Sequence, residues 1–340
     1  MTNHPRPAVS VVICTRNRRD NPVKTVSSVL KCSGADIEVL LMDQSDGKET
    51  SLAVQPLLAT NPNLRYFSLS VPGKPLALNV ALEKAQGCFL LLTDDDCEPQ
   101  RGWIESMVAP FSNAAVACVF GAVDTAAHDS REGYITSHIV RESFCVDKLR
   151  KARGRQGRVS ATGMGANLAL RKSALEAIGG WDPCIGPGSK FRGGDDHDIA
   201  MRLSLRENHT WFCAEGRVTH HGFRRWSERY NDPMRYGYGL GAATAKYWRC
   251  GVVHSDALAL LAHHVREGAG HPRRGIRSSP CWSFVKYYFV GIREGFRHPL
   301  DKTTWRFLPV DDSETVHYGN HFANVVLRSD QQIGRERERK

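Results

Sequence analysis

No apolar run in this 340-residue chain approaches the roughly 18–20 residues a membrane-spanning helix needs. Residues 1–7 hold no apolar stretch of the kind that opens a secretory leader. The expectation is a cytoplasmic protein, or one held on the cytoplasmic membrane face without crossing it. None of the ten cysteines forms a Cys-x-x-Cys pair, so zinc-binding spacing is missing. Their irregular placement, several within apolar runs, reads as buried thiols in a reducing compartment and argues against a disulfide framework. Internal repeats and low-complexity tracts are absent as well.

What is present is an ordinary globular composition, 41% hydrophobic and 24% charged, with a formal charge of +10. The length suits one large domain with a smaller appendage. A basic balance calls for an anionic partner. The local clusters, 141–158 and 266–277, are not interleaved with the aromatics a single-strand groove uses, so nucleic acid is not the expected one. The first seven residues and the charged run 335–340 read as frayed ends.

The first third alternates two textures. Short β-branched runs at 9–14, 37–42, 64–69, 88–93 and 115–120 read as buried strands. Amphipathic stretches at 23–32, 51–60, 75–86 and 103–110 have helical length. That rhythm predicts an α/β layer with a mostly parallel sheet flanked by helices, which binds ligands at the carboxyl ends of its strands. Three runs end in polar groups: Thr15-Arg16-Asn17-Arg18, Asp43-Gln44-Ser45-Asp46 and Asp94-Asp95-Asp96. Further on, helices are expected at 172–178, closed by Gly179-Gly180, and from about Asp195. The last third reads as helices at 233–248, 256–265 and 282–296.

Asp94, Asp95 and Asp96 are the sharpest feature. Three adjacent carboxylates repel one another unless they are exposed or share a cation. Hard oxygen ligands of this kind suit Mg²⁺ or Mn²⁺, which also bridge phosphates; a solvated acidic turn is the plain alternative. Asp195 and Asp196 open a helix, a position that dipole and capping alone favour. Asp198 and Arg202 fit an ion pair along that helix.

Residues 9–222 resemble the family-2 glycosyltransferases, inverting enzymes of the GT-A fold. The match runs through the 9–18 segment, the 43–46 loop, Pro72-Gly73-Lys74-Pro75-Leu76-Ala77-Leu78-Asn79, the 94–96 triplet, Gly163-Met164-Gly165-Ala166-Asn167, Gly179-Gly180-Trp181-Asp182, and Gly194-Asp195-Asp196-His197-Asp198 with Arg202. The resemblance implies transfer of a hexosyl or N-acetylhexosaminyl group from a nucleotide diphosphate, with UDP as the default. It implies donor contacts from Thr15, Arg16, Asn17, Asp43, Ser45, Asp46, Lys74, Asn79, Asp94 and Asp95. Mn²⁺ or Mg²⁺ would sit on Asp96 and Asp94, completed by His220 with His221 as its rival. Gly165, Asn167, Trp181 and Asp182 would face the acceptor, although core burial is the commoner fate of a tryptophan. Two departures stand out: Leu78 where many members carry Arg, and Asp195 where the family carries Glu.

The chemistry agrees. A leaving diphosphate gathers negative charge that a metal offsets, and the attacking hydroxyl must give its proton to a base. Asp196 is the expected base, with Asp195 beside it. The acceptor, whether lipid-linked, saccharide, peptide or small molecule, stays open. The expected division is 8–125 for the nucleotide-sugar half, 126–222 for the acceptor half, and 223–334 for a helical extension. That extension is expected to touch the acceptor, to pack on the catalytic domain, or to lie on a membrane surface through the aromatic and basic 282–297 segment. Two other readings remain: a nucleotidyltransferase, although no glycine-rich loop follows the first strand, and a non-catalytic basic binding protein. The oligomeric state is not legible.

Overall fold

The computed structural model describes residues 8–32, 36–147, 162–252, 255–269 and 280–310. The expected frayed ends lie outside the described residues, as do 148–158 and 270–277 of the two basic clusters.

The β-branched runs become strands where expected: β1 Val9–Thr15, β2 Ile37–Asp43, β3 Leu64–Ser68, β4 Phe89–Asp94, then a short β5 Cys97–Pro99 and β6 Val116–Thr125. Between them lie α1 Asn21–Cys32, α2 Glu49–Thr60, α3 Lys74–Lys84 and α4 Trp103–Val108. The middle of the chain adds β7 Gly133–Ile135, β8 Phe144–Val146, β9 Asn167–Arg171, α5 Lys172–Ala177, α6 Asp195–Leu205, β10 His209–His220 and β11 Phe223–Arg225. Three long helices follow, α7 Asn231–Arg249, α8 Ser255–Ala269 and α9 Pro280–Arg297, and then the two-residue strands β12 Leu300–Asp301 and β13 Arg306–Phe307.

The main sheet runs β3-β2-β1-β4-β9-β6-β10-β5, with β8 also on β10. Six of its nine strands point the same way. β1 to β4 do so by direct parallel pairing, β6 because it and β4 both oppose β9, and β10 by parallel pairing with β6. The sheet is therefore mixed but mostly parallel, and helices cover both faces. Successive side chains on β1 point to opposite sides. Val9, Val11 and Ile13 join Val26, Val39 and Trp103 in one buried cluster, while Val12 joins Leu40, Leu78 and Trp181 in the other.

Register brings the chemistry to one edge. Thr15 pairs with Asp43, and Cys14 with Asp94, so β1, β2 and β4 end level with one another. α3 starts at the same edge. Gly73, at φ +127°, turns the chain in a conformation glycine favours, and Pro75 presets the first turn. Its residues Ala77, Leu78, Val80 and Ala81 are buried, which fixes Lys74 at the sheet edge.

α7 and α9 pack backbone to backbone. A Cβ at Gly237 or Gly241 would overlap the carbonyls of Phe284 or Tyr288, and one at Gly291 would overlap that of Tyr238. α7 also presses on the turn before α6, where Gly239 lies against Gly193. The helical segment is thus part of the wall around the sheet edge.

Candidate active site

A cleft of about 680 Å³ opens at the carboxyl edge. It is lined by Thr15 and Arg16 from the end of β1, Lys74, the triplet Asp94 to Asp96, Gly165, Asp195, Asp196 and His220. Ten residues expected at the site from sequence therefore meet in one place.

The triplet divides its work. Lys74 Nζ lies 2.5 Å from Asp94 Oδ1. Burial alone would lower the Lys74 ammonium, but the Asp94 and Asp195 charges outweigh it and hold the group above the usual lysine range. Asp95 is nearly buried and accepts from Thr15 Oγ1 at 2.6 Å, while its carbonyl accepts from Thr25. Burial pushes its carboxyl up to about 6. Asp96 turns the other way, with His220 Nε2 at 3.3 Å from Oδ1 and Arg18 at 4.0 Å from Oδ2. Burial would raise Asp96; the His220 hydrogen bond and charge outweigh it and hold the carboxyl low.

His220 and His221 part company at the end of β10. His220 is buried, and its Nδ1 faces the Thr136 carbonyl at 2.9 Å. A carbonyl accepts, so Nδ1 carries a proton; burial would lower the imidazole, but Asp96 and the Thr136 carbonyl outweigh it and favour a second proton on Nε2, which a bound ion would displace. His221 is exposed and faces Glu98 at 3.4 Å. Among the described residues, the group of side chains close enough to share an ion is Asp96, Cys97 and His220. Burial drives the Cys97 thiol well above its usual range, which leaves carboxylate and imidazole as the donors. That oxygen-and-nitrogen set suits a divalent ion such as Mn²⁺. Asp94 is held by Lys74 and stands outside the group.

Asp195 and Asp196 sit at the start of α6 after Gly194. Asp196 is oriented by two amides, Gly165 N–H at 3.1 Å to Oδ2 and His197 N–H at 2.8 Å to Oδ1. Burial and the adjacent Asp196 carboxylate push Asp195 up to about 7, against the pull of Lys74.

Other expected residues stand elsewhere. Asn17, Asp43, Ser45 and Asp46 knit the loops after β1 and β2 behind the rim. Asn17 N–H donates to Ser45 Oγ at 2.8 Å, Asn17 Nδ2 to Asp46 at 2.9 Å, and Tyr66 OH to Asp43 at 2.6 Å. Four belong to the framework. Trp181 is 1% exposed, packed beneath α3, so it offers no face to an acceptor. Asn79 clamps it, donating to the Trp181 carbonyl at 3.0 Å and accepting from its amide at 2.8 Å. Asn167 holds Trp103 Nε1 and the carbonyls of Ala122 and Gly216. Asp182 is sealed against Lys246. These four correct the expectation of donor or acceptor contact. The Asn79, Asn167 and Asp182 side chains are taken by buried partners distant in sequence, and the Trp181 ring is packed in the core.

The cleft also takes Arg18 and Gln44 from the loops after β1 and β2, and gathers residues outside the motifs: Thr136, His138, Arg224, Tyr236 and, from α7 and α8, Leu240 and Leu260. Thr136 Oγ1 and His138 Nε2 are buried and find no hydrogen-bond partner among the described residues. Burial keeps the His138 imidazole below its usual range. No motif marks them; they arrive through β7, β11 and α7, which only tertiary structure places.

The family model for glycosyl transferase family 2 matches residues 10–179, half of the chain. The chain belongs to that family. Glycosyltransferase AglE of Haloferax volcanii is 26% identical to this family-2 transferase over 56% of the chain and 60% of its own length. GalNAc(5)-diNAcBac-PP-undecaprenol beta-1,3-glucosyltransferase of Campylobacter jejuni is 28% identical over 34% of the chain and 38% of its own length. The chain therefore spans less than two thirds of either relative. Among solved structures, mannosyltransferase PcManGT from Pyrobaculum calidifontis, in complex with GDP-Man and Mn²⁺, superposes with a TM-score of 0.60. It is 19% identical, with 86% of this chain and 87% of that one covered. The fold is GT-A. No helix among the described residues is long and apolar enough to cross a membrane.

Proposed function

We propose that this family-2 transferase moves a sugar from a nucleoside diphosphate to an acceptor hydroxyl by a single displacement that inverts the anomeric centre, with Asp196 as the base. The observation that carries this reading is the placement of Asp196, on the cleft wall and oriented by the Gly165 and His197 amides, outside the Asp96–Cys97–His220 group that could share an ion.

The donor diphosphate is received at the edge where β1 and β4 end. Lys74, Arg16 and Arg18 supply positive charge there, and the Asp43 to Asp46 loop stands behind the nucleoside end. A divalent ion on Asp96 and His220, Mn²⁺ or Mg²⁺, would offset charge on the leaving diphosphate. The acceptor hydroxyl gives its proton to Asp196 as its oxygen bonds the anomeric carbon, and the bond from that carbon to the phosphate oxygen breaks. Thr136 and His138, polar and unpaired, suit the acceptor's other hydroxyls. UDP is the default nucleotide and the acceptor class stays open. A lipid-linked acceptor would bring the protein to the cytoplasmic membrane face.

Asp196→Asn tests the base. The variant should keep the melting-temperature rise that UDP or GDP gives with Mn²⁺, while transfer falls roughly 10²–10⁴-fold. Normal turnover would remove Asp196 from the role. A series over UDP, GDP and other nucleoside diphosphates reads the donor, and no shift with any of them would overturn the site.

A further inference from the structure

Seven of the twelve large hydrophobic side chains exposed among the described residues fall between 248 and 310. The densest group is on α9 and the end of α7. α9 buries Phe284, Tyr288, Gly291 and Gly295 against its neighbours and turns the opposite face outward. That outward face has two edges at helical spacing. Phe289 and Phe296, 56% and 43% exposed, form one. Lys286, Arg293 and Arg297 form the other. Trp248, 71% exposed at the end of α7, extends the aromatic edge, its ring 6.2 Å from that of Phe296 in an edge-on arrangement.

Solvent alone does not account for this face. Exposed aromatics of this size cost hydration free energy wherever nothing covers them. An interior partner of this chain would not call for three cations between them. The one acidic group on the outward half of this segment, Glu294, is already engaged by Tyr238 OH, and Arg293 lies 3.7 Å from its other oxygen. Among the described residues, Lys286 and Arg297 therefore stand without an acidic neighbour on the face, in a chain of net charge +10. Rings beside cationic heads on one helix face match the boundary between acyl chains and headgroups of an anionic bilayer. There aromatic rings settle at headgroup depth and basic side chains reach phosphates.

We infer that Trp248, Phe289, Phe296, Lys286, Arg293 and Arg297 form a surface that docks this protein on an anionic lipid bilayer without crossing it. Trp248 lies eight residues beyond Leu240, a cleft residue on the same helix, or about 12 Å along the axis. Docking there holds the cleft within a short distance of the bilayer surface. The surface stands apart from the catalytic residues, so its failure and that of the transfer reading are separable.

The experiment is co-sedimentation of the full chain with vesicles of phosphatidylcholine alone or with one third phosphatidylglycerol. Binding should need the anionic lipid and weaken with salt. Neutralising the basic edge (Lys286→Gln, Arg293→Gln and Arg297→Gln together) should weaken it roughly a hundredfold. Trp248→Ser with Phe296→Ser should weaken it at least as much as one buried aromatic is worth, roughly tenfold or more. Both variants should keep the parent's melting temperature and its nucleotide-induced shift, which shows that they fold and keep the donor site. Equal sedimentation with neutral vesicles, or unchanged binding by both variants, would overturn the inference. So would a concentration-dependent dimer that Trp248→Ser with Phe296→Ser dissolves, since a second copy would then be the cover.

Discussion

Lys246 of α7 reaches Asp198 of α6 at 2.5 Å, Nζ to Oδ1, and both side chains are sealed from solvent. The ammonium also holds Asp182 at 2.8 Å. Arg202 pairs with Asp198 at 2.9 Å and donates to the carbonyls of Ile178 and Gly180, and Tyr247 OH adds a hydrogen bond to Asp198. Two cations and two anions thus share one dry site with their remaining hydrogen bonds satisfied. The ion pair expected along α6 is there, but as part of a buried lock between that helix and α7. Lys246→Met leaves two carboxylates facing one guanidinium and should cost about 3–5 kcal/mol, read by urea unfolding. Burial would raise Asp198, but Lys246 and Arg202 hold it down to about 2. Its contribution is therefore present above the ordinary aspartate value and lost as pH falls toward 2. In the variant, acid unfolding should begin at a higher pH.

Asn79 offers a sharper test of framework against donor contact. Asn79→Ala removes both hydrogen bonds to the Trp181 backbone and leaves a buried amide and carbonyl unpaired. It should cost about 1–3 kcal/mol in unfolding. The melting-temperature rise given by nucleotide with Mn²⁺ should be unchanged. A lost shift in a folded variant would return Asn79 to the donor site.

The contrast between Asn79 and Asp96 shows what the sequence reveals and what it hides. Asp96 is legible because a short apolar run closes just before it, and parallel strands present their ends at one edge. The chemistry then follows from position along a single element. Asn79 lies within an equally suggestive motif, but its partner is 102 residues away, and nothing local marks that closure. β10 was hidden for another reason: only 211–213 reads as apolar, and an irregularity between Cys213 and Arg217 breaks the alternation. β9, antiparallel between β4 and β6, is likewise too short to announce its direction. Thr136 and His138 carry no motif at all, since the cleft they line closes only when β7 and α7 come round to it.

Gly222 should be essential to metal-dependent binding although it carries no ligand. A Cβ there would overlap His220 Nε2 and lie 3.0 Å from Asp96 Oδ2. Gly222→Ala must therefore part the two donors or fill the space between them. The expected result is an apparent Mn²⁺ affinity, titrated through the nucleotide-induced melting shift, weaker by roughly 10–100-fold, the cost typical of disturbing a ligand's surroundings. Stability without metal should change by less than the effect on binding. An unaltered Mn²⁺ titration would place the ion away from His220.

Asp195 should make the protein less stable and more active. An unfolded aspartate titrates near about 4, while burial and Asp196 push this one up to about 7 in the folded chain. The folded state then binds a proton that the unfolded state has released. The group's contribution to stability is full below about 4, declines as pH rises through the interval, and above about 7 remains as the cost of a buried charge beside a like one. Asp195→Asn removes that dependence. Without metal or nucleotide, the variant should be about 1–4 kcal/mol more stable than the parent at pH 8, with the gap closing toward pH 4. Transfer should show the opposite sign. Below pH about 7 the proton on Asp195 cancels a negative charge next to Asp196 and weakens it as a proton acceptor, so the parent rate should climb through that pH. Asp195→Asn should hold the weakened state at every pH, giving a lower and flatter profile. Parallel stability curves for the two proteins would show that Asp195 is ionised throughout. A rate that still climbs through pH 7 in the variant would assign the titration to another group.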